Sequence, residues 1–540
     1  MAQVHGGRLV SKALKRHGTT HLFTLCGGHI QAIYDGCLDD DIRVVDVRHE
    51  QTAGHAADGY ARVTGRPGVC AVTAGPGVTD TVTAVANAQR AGIPMIVIGG
   101  AGPRALQDMG SLQDMNHVEL MRPITKWSVS VPSTDRIQEY IDAAFRVAQA
   151  NVPGPVFLEM PLDLLMNWAD DAPPATAPLT PPRPGGDPAQ IARVAQMLRE
   201  SERPMFIVGS QLRWSPRREA LRQFADVVEA PFYLNGMARG GLPYEHPNLM
   251  TRSRKFALGQ TDLCLVFGTP FDFRLEYGRA VNPNAKVVQI DLDANELGKN
   301  RRLDVAIDGD SGIVLEQLLD AIKVKRSDGW LATVRAAEEK SRAKMSAEIE
   351  SNVSPPNPLR VCAELGKRLG KNDIIIGDGG DFVATAAYVL KLEWPQLWMD
   401  PGPLGTLGVG PGYAMAAKLA RPDANVVLVY GDGSFGLHAL EFEAMVRQNI
   451  PVVAVIGNDA GWTQIRRGQV ELYGPNRAPA TALDYTRYDK VVEAVGGFGA
   501  YVEHVEELGA ALDAAFASGK PACVNVKIAQ SDFRKGAISV

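Results

Sequence analysis

GDGSFGLHALEFEAMVRQNIPVVAVIGND, residues 431–459, decides the fold. The apolar run 426–430 leading into it reads as one buried strand, and 451–456 as the next. Gly431 and Gly433 let the chain turn tightly and approach a ligand closely. A helix is expected to begin near Ser434, turning free N–H groups and the positive end of its dipole toward that loop. The second strand carries Asn458 and Asp459 to the same sheet edge. Asp432 and Asp459 are hard oxygen donors suited to a Mg²⁺ ion that holds a diphosphate, and the carbonyl of Gly461 would complete the protein ligands. Taken alone, GDG reads as a structural turn or a generic nucleotide loop; the combination points to a diphosphate.

Outward from this stretch the pattern repeats. Short β-branched runs alternate with amphipathic stretches: 44–47, 68–74 and 94–100; then 204–210, 263–268 and 286–292; then 373–379, 426–433 and 451–459. Continuous apolar strands separated by helices imply parallel sheets covered on both faces, with ligands at the carboxyl ends of the strands. Two Pro-rich stretches, APPATAPLTPPRPGGDP (172–188) and SPPNP (354–358), cannot continue a helix or a central strand. The expected architecture is α/β, with three doubly wound parallel-sheet domains at 1–171, 189–350 and 356–540. Domains of ordinary size account for the 540 residues.

Composition excludes several classes. A formal net charge of −5 gives no electrostatic case for nucleic acid or an anionic membrane. The longest apolar runs fall far short of the roughly 20 residues of a membrane span. MAQVHGGRLV lacks the apolar core of a signal peptide. The six cysteines form no CxxC pair, which argues against structural zinc and for reduced thiols. A cytoplasmic location is expected, with no nucleic-acid or membrane partner.

The 431–459 segment resembles the thiamine-diphosphate motif, in which GDG is followed by a stretch ending in NN. The resemblance implies thiamine diphosphate and Mg²⁺ as cofactors, with Asp432, Asp459 and Gly461 as metal ligands. Asp459 departs from the pattern, standing where Asn is usual. VRHEQTAGHAADGYARVTGRPGVCAVTAGPGVTD (47–80) resembles the pyrimidine-binding domain of the same enzymes. Ordinarily a Glu in a helix's first turn serves the dipole. The resemblance instead matches Glu50 to the glutamate that hydrogen-bonds the aminopyrimidine N1′ and favours its imino tautomer, with Gly75, Pro76 and Gly77 along the cofactor's edge. PLGTLGVGPGYAMAAKLA (403–420) resembles the G-x-M-G-x-G stretch. There Leu407 would wedge the cofactor into its bent shape and the Gly405 carbonyl would accept a bond from it. In the family this glutamate reaches a neighbouring subunit's diphosphate site, which implies a homodimer or homotetramer.

The order of domains is similar to acetolactate synthase, benzaldehyde lyase, oxalyl-CoA decarboxylase and 2-hydroxyacyl-CoA lyase. In the middle segment NGMARGGLPYEHP (235–247), TRSRKFAL (251–258) and DLDANELGKNRRLDVAIDGD (291–310) resemble the CoA-dependent branch. Arg252, Arg254, Arg301 and Arg302 would then pair with phosphates of an ADP-like group, and ADP, CoA or FAD becomes a candidate for the middle domain. The same arginines would equally serve as solvated or salt-bridged surface groups. Arg534 and Lys535 in the tail are either a closing segment over a CoA phosphate or a frayed end. His29 resembles a benzaldehyde lyase histidine that handles a substrate proton, a core histidine being the alternative. Gln113 sits where the family places a polar substrate-facing residue, and Trp462 would shape the pocket after the metal loop, packing alone being the alternative for the Trp.

The leading expectation is a carbon–carbon lyase that cleaves a 2-hydroxyacyl-CoA to formyl-CoA and an aldehyde or ketone, reversible as an acyloin-type condensation. Acetolactate synthase acting on the 2-keto acid pyruvate is the alternative, and GSLQDMNHVELMRPITKW (110–127) resembles it equally well. An oxalyl-CoA-type decarboxylase and a non-catalytic cofactor-binding homologue are the remaining readings.

Overall fold

A computed structural model describes residues 3–172, 174, 176–322 and 329–529. The first of three all-parallel sheets runs in the order Arg43–Asp46, His21–Thr24, Gly68–Val72, Met95–Ala101, Pro155–Pro161, Trp127–Ser130. The last runs Leu397–Met399, Ile374–Asp378, Val426–Gly431, Val453–Asn458, Ala522–Lys527, Phe498–Val502. Numbered within its own domain, each has strand order 2-1-3-4-6-5. The central sheet, Phe232–Leu234, Pro204–Val208, Leu263–Phe267, Lys286–Asp291, Val305–Asp308, has order 2-1-3-4-5. Strands such as Gly68–Val72, Pro204–Val208 and Leu263–Phe267 are buried at every residue, as helices on both faces require. Cys37, Cys70, Cys264, Cys362 and Cys523 are buried free thiols, and Cys26 is exposed.

The most extensive contact between the outer domains is one helix pair. Glu50–Thr64 lies against Gly410–Ala420, each the helix that follows strand 2 of its own sheet. Small residues permit the approach. A Cβ on Gly412 would stand 2.7 Å from the Thr52 carbonyl oxygen, and one on Gly59 would stand 2.7 Å from the Tyr413 Cα. The seam also carries a buried polar network. Arg62 Nε donates to Asp58 at 2.6 Å, while Tyr413 Oη and Asn87 Nδ2 donate to the same carboxylate at 2.8 and 3.1 Å. Leaving any one of these groups unpaired at such depth would cost about 1–3 kcal/mol.

Candidate functional site

Strand Val426–Gly431 delivers Asp432 into a helix that begins at Asp432 itself, two residues before the expected start, and ends at His438. A second short helix, Glu441–Arg447, follows, so the stretch between the strands is two helices and not one. The side chain of Asp432 is buried, and its oxygens accept N–H bonds from Gly433 (2.9 Å) and Gly461 (3.0 Å). This places the loop after Val453–Asn458 directly against the one after Val426–Gly431. Ala460 makes that turn with φ +55°, held by its N–H on Asn458 Oδ1. Asn458 Nδ2 in turn donates to Asn525 and the Thr486 carbonyl, so this residue supports the loop. Burial, then the nearby Asp459, pushes Asp432 up to about 7; burial also raises Asp459.

A buried carboxylate raised by a half-buried neighbour of like charge makes a poor structural turn and a good cation site. Among the described residues no three His, Cys, Asp or Glu side chains cluster. The donor set is thus two carboxylates plus carbonyl, phosphate or water oxygens, which fits a hard cation such as Mg²⁺ and not a thiolate- or imidazole-bound metal. At Gly433 an added Cβ would fall 2.7 Å from the Trp462 ring, so the loop has no room for a side chain there.

Three partners of this loop were not read from the sequence. Asp378, at the end of the neighbouring strand, accepts bonds from Gly408 N (3.0 Å), Gly410 N (2.7 Å) and the Ser434 hydroxyl. It thereby ties the 405–410 loop to the GDG helix, and the signal available was the run DGGD (378–381). Asp381 pairs with Arg467 beside Asp459. Glu441 is buried and accepts the Arg48 N–H through both oxygens (3.1 and 3.0 Å). Burial lifts it to about 7.

Gly405, Leu407, Gly431, Asp432, Gly433, Ser434, Asp459, Gly461 and Trp462 all line one cavity of about 1430 Å³. The cavity continues to the carboxyl edge of the central sheet, at the switch point between Pro204–Val208 and Leu263–Phe267, where Gln211, Thr269 and Asp291 face it. Of the four candidate arginines of that domain, Arg254 alone lines it, donating to Asn235 Oδ1 (3.1 Å) and the Arg274 carbonyl (3.2 Å). Arg252 stacks on Tyr388 (4.4 Å), Arg301 donates to the Asn282 carbonyl (3.0 Å), and Arg302 is exposed. Arg534 and Lys535 lie outside the described residues.

The first domain gathers a second cluster. His29 Nδ1 lies 3.1 Å from Thr73 Oγ1, which donates to Gln113 Oε1 at 3.4 Å. Gly75, at φ +59°, packs so closely on Gln113 that a Cβ would fall 2.8 Å from its Cβ, and Gly75 N donates to His117. Pro76 and Gly77 open the helix Pro76–Ala91. Burial, then His117, lowers His29, leaving its imidazole neutral near pH 7. Glu50 opens its helix with 9% of its surface exposed, and burial raises its carboxyl. None of Glu50, His29, Gly75, Pro76, Gly77 and Gln113 lines the large cavity. Within the chain that cavity meets the first domain at Gln89–Gly92, Lys126 and Asn151–Pro153, several of which precede strands and so mark the amino edge of the sheet.

Both clusters fall within stretches that match known protein families. Residues 4–120 match "Thiamine pyrophosphate enzyme, N-terminal TPP binding domain", residues 191–318 the central domain of the same family, and residues 378–526 its C-terminal TPP binding domain. The chain belongs to the thiamine pyrophosphate enzyme family. It is 38% identical over 582 residues to 2-hydroxyacyl-CoA lyase 2 of Bos taurus, covering 99% of this chain and 92% of that protein. It is 37% identical over 585 residues to the Homo sapiens protein of the same name, with coverages of 99% and 92%. It is also 38% identical over 526 residues to the acetolactate synthase large subunit IlvG of Mycobacterium tuberculosis, with coverages of 97% and 95%. Among the described residues no helix of this thiamine pyrophosphate enzyme is long and apolar enough to cross a membrane.

Proposed function

We propose that the chain is a carbon–carbon lyase that cleaves a 2-hydroxyacyl-CoA to formyl-CoA and an aldehyde or ketone. The observation that carries this reading is the single cavity of about 1430 Å³ running from Asp432 to the central sheet. Small-molecule sites ordinarily occupy about 300–1,000 Å³. This one has room for a cofactor and an extended ligand together. Its walls carry Arg254, Arg239 and Lys126, cations suited to the phosphates of a CoA or ADP-like group. The Lys126 ammonium donates only to the carbonyls of Ala150 and Val152 among the described residues, and burial lowers it to about 8.

Asp432, Asp459 and the Gly461 carbonyl would hold Mg²⁺ and the diphosphate, with Leu407 and Gly405 beside the rings. When bound, thiamine diphosphate supplies an electron sink for the carbon next to the carbonyl. Glu50 would hold a proton at the aminopyrimidine, a task suited to a carboxyl whose affinity for protons burial has raised. His29 would move the substrate hydroxyl proton, with Gln113 orienting it through Thr73.

The active unit in this reading is a dimer, with tetramers possible by pairing of dimers. The first domain turns the amino edge of its sheet to its own chain's cavity, so its Glu50 edge is left for the cavity of a second copy. Exposed Leu106, Met109 and Leu112 near that edge, and Leu437, Leu440 and Ile465 near the GDG loop, supply apolar surface for such contact. Acetolactate synthase is the second reading, favoured by the equal identity to the mycobacterial protein. An assay with 2-hydroxyacyl-CoA substrates against pyruvate, in the presence of thiamine diphosphate and Mg²⁺, separates them. Formyl-CoA release supports the lyase. Acetolactate, or CO₂ from oxalyl-CoA, would replace it.

A further inference from the structure

A second, smaller pocket of about 220 Å³ lies outside the cofactor cavity, where the central and last domains meet. Its floor is the segment Trp394–Pro395 of the last domain. The Trp394 indole sits on the Gly240–Gly241 turn, where a Cβ on Gly240 would lie 2.9 Å from the ring. Four arginines form its walls: Arg213, Arg218 and Arg222 of the central domain and Arg421 of the last. Two carboxylates face them, Glu219 at 3.6 Å from Arg218 and Glu393 at 4.0 Å from Arg222, and all four of these side chains are largely solvated.

Arg213 and Arg421 are different. Arg213 is 92% buried (8% exposed), and among the described residues it forms no ion pair. Its Nε and Nη2 donate to the carbonyls of Arg62 and Val63 (2.8–3.0 Å), the last turn of the helix that begins at Glu50; Nη1 has no acceptor among the described residues. Arg421 donates through Nη1 to the Pro395 carbonyl at 2.8 Å, and it too forms no ion pair there. A helix C-terminus offers roughly half a negative charge. Against one buried and one half-buried guanidinium group that leaves more than one positive charge without a carboxylate partner, an arrangement an anion would complete. Burial depresses both guanidinium groups, and their arginine neighbours depress them further.

We propose that this pocket binds a small multivalent oxyanion of the phosphate or sulfate class, held by Arg213, Arg421 and Arg218. The volume lies below the about 300 Å³ at which drug-sized pockets begin, so a nucleotide does not fit while a tetrahedral anion does. Guanidinium forks suit such an anion. Arg218 lies over the Trp394 ring at 5.5 Å. An anion here would join the central domain, the Trp394 segment and the end of the Glu50 helix, so its binding should stiffen the three-domain junction.

The test uses the holoenzyme, saturated with thiamine diphosphate and Mg²⁺ so that the diphosphate site is filled. Calorimetric titration and thermal melting with inorganic phosphate and with sulfate are compared with chloride at equal ionic strength. A saturable heat and a rise in melting temperature are expected for both oxyanions. Arg421→Gln, which keeps a donor for the Pro395 carbonyl, and Arg218→Gln should each weaken binding about tenfold or more, with turnover unchanged. Melting of each variant without oxyanion establishes that it is folded. Absence of saturable binding beyond chloride overturns the proposal. So does equal binding by both variants, or a carboxylate from a second subunit seated between Arg213 and Arg421 in a crystal of the holoenzyme.

Discussion

The first and last domains have one topology and carry different side chains at corresponding loops. In each, strands run 2-1-3-4-6-5 and the loops after strands 1 to 4 gather at one sheet edge. After strand 2, the first domain places Glu50 and the last places Gly405 and Leu407. After strand 3, the first places Gly75-Pro76-Gly77 and the last Gly431-Asp432-Gly433. The helices after strand 2 pair with each other across the domain seam, so the chain is built about an approximate internal two-fold. What differs is charge and depth. The last domain's loop after strand 3 buries a carboxylate among N–H donors beside a second carboxylate. The corresponding loop of the first domain is uncharged and is held by His117. A shared fold supplied two equivalent edges, and in the proposed reading a few side chains make one a metal and diphosphate edge and the other a proton-handling edge.

The largest expected effect breaks the second assignment. Glu50→Gln should lower kcat by about 10²–10⁴-fold, with melting temperature and cofactor affinity little changed. Steady-state turnover alongside a cofactor titration checks this, and turnover near wild type would remove Glu50 from the chemistry. Asp432→Asn should do the reverse. Mg²⁺-dependent binding of thiamine diphosphate should weaken by about 10–100-fold, followed through the fluorescence of the neighbouring Trp462. If the two variants exchanged phenotypes, the division of labour between the edges would be wrong.

The internal two-fold is tested by Gly412→Ala. Its methyl would meet backbone at Thr52 and Ala56, costing about 1–3 kcal/mol. The measurement is a denaturant or thermal midpoint, and an unchanged value would mean the seam gives way freely.

The smallest effect concerns Glu441, which binds the Arg48 amide across that seam. Its folded pKa is raised to about 7, so its contribution to stability is greatest below the unfolded pKa of about 4.3 and is lost as pH rises through 7. The melting temperature of Glu441→Gln apoprotein should accordingly fall less than that of wild type between about pH 5 and pH 8. Parallel pH profiles would refute it.

Much of the candidate site was legible because its signals are local. A strand that ends in Gly-Asp-Gly announces a tight turn, and the next strand must deliver Asn458-Asp459 to the same edge if the sheet is parallel. The same logic located Glu50 at a helix start and Gly75 at a turn. Asp378 was missed although it lies at a strand end, because its three donors come from the 408–410 loop and the GDG helix. Glu441 and Arg48 are separated by 393 residues, and no periodicity connects them. The arginines were legible as a group but not one by one, since Arg252 and Arg254, like Arg301 and Arg302, are close in sequence and differ only in where the surrounding loops point them.

The amino-acid sequence by itself determined three parallel α/β sheets and the residues that punctuate the strand ends, because apolar period and backbone turn preference act over a few residues. Only the tertiary structure decided which sheet edges share a cavity, that Arg254 alone of four arginines faces it, and that Glu50 is turned away from the cavity of its own chain. Those outcomes depend on the packing of Glu50–Thr64 against Gly410–Ala420, a contact between helices more than 300 residues apart whose geometry is set by shape and burial.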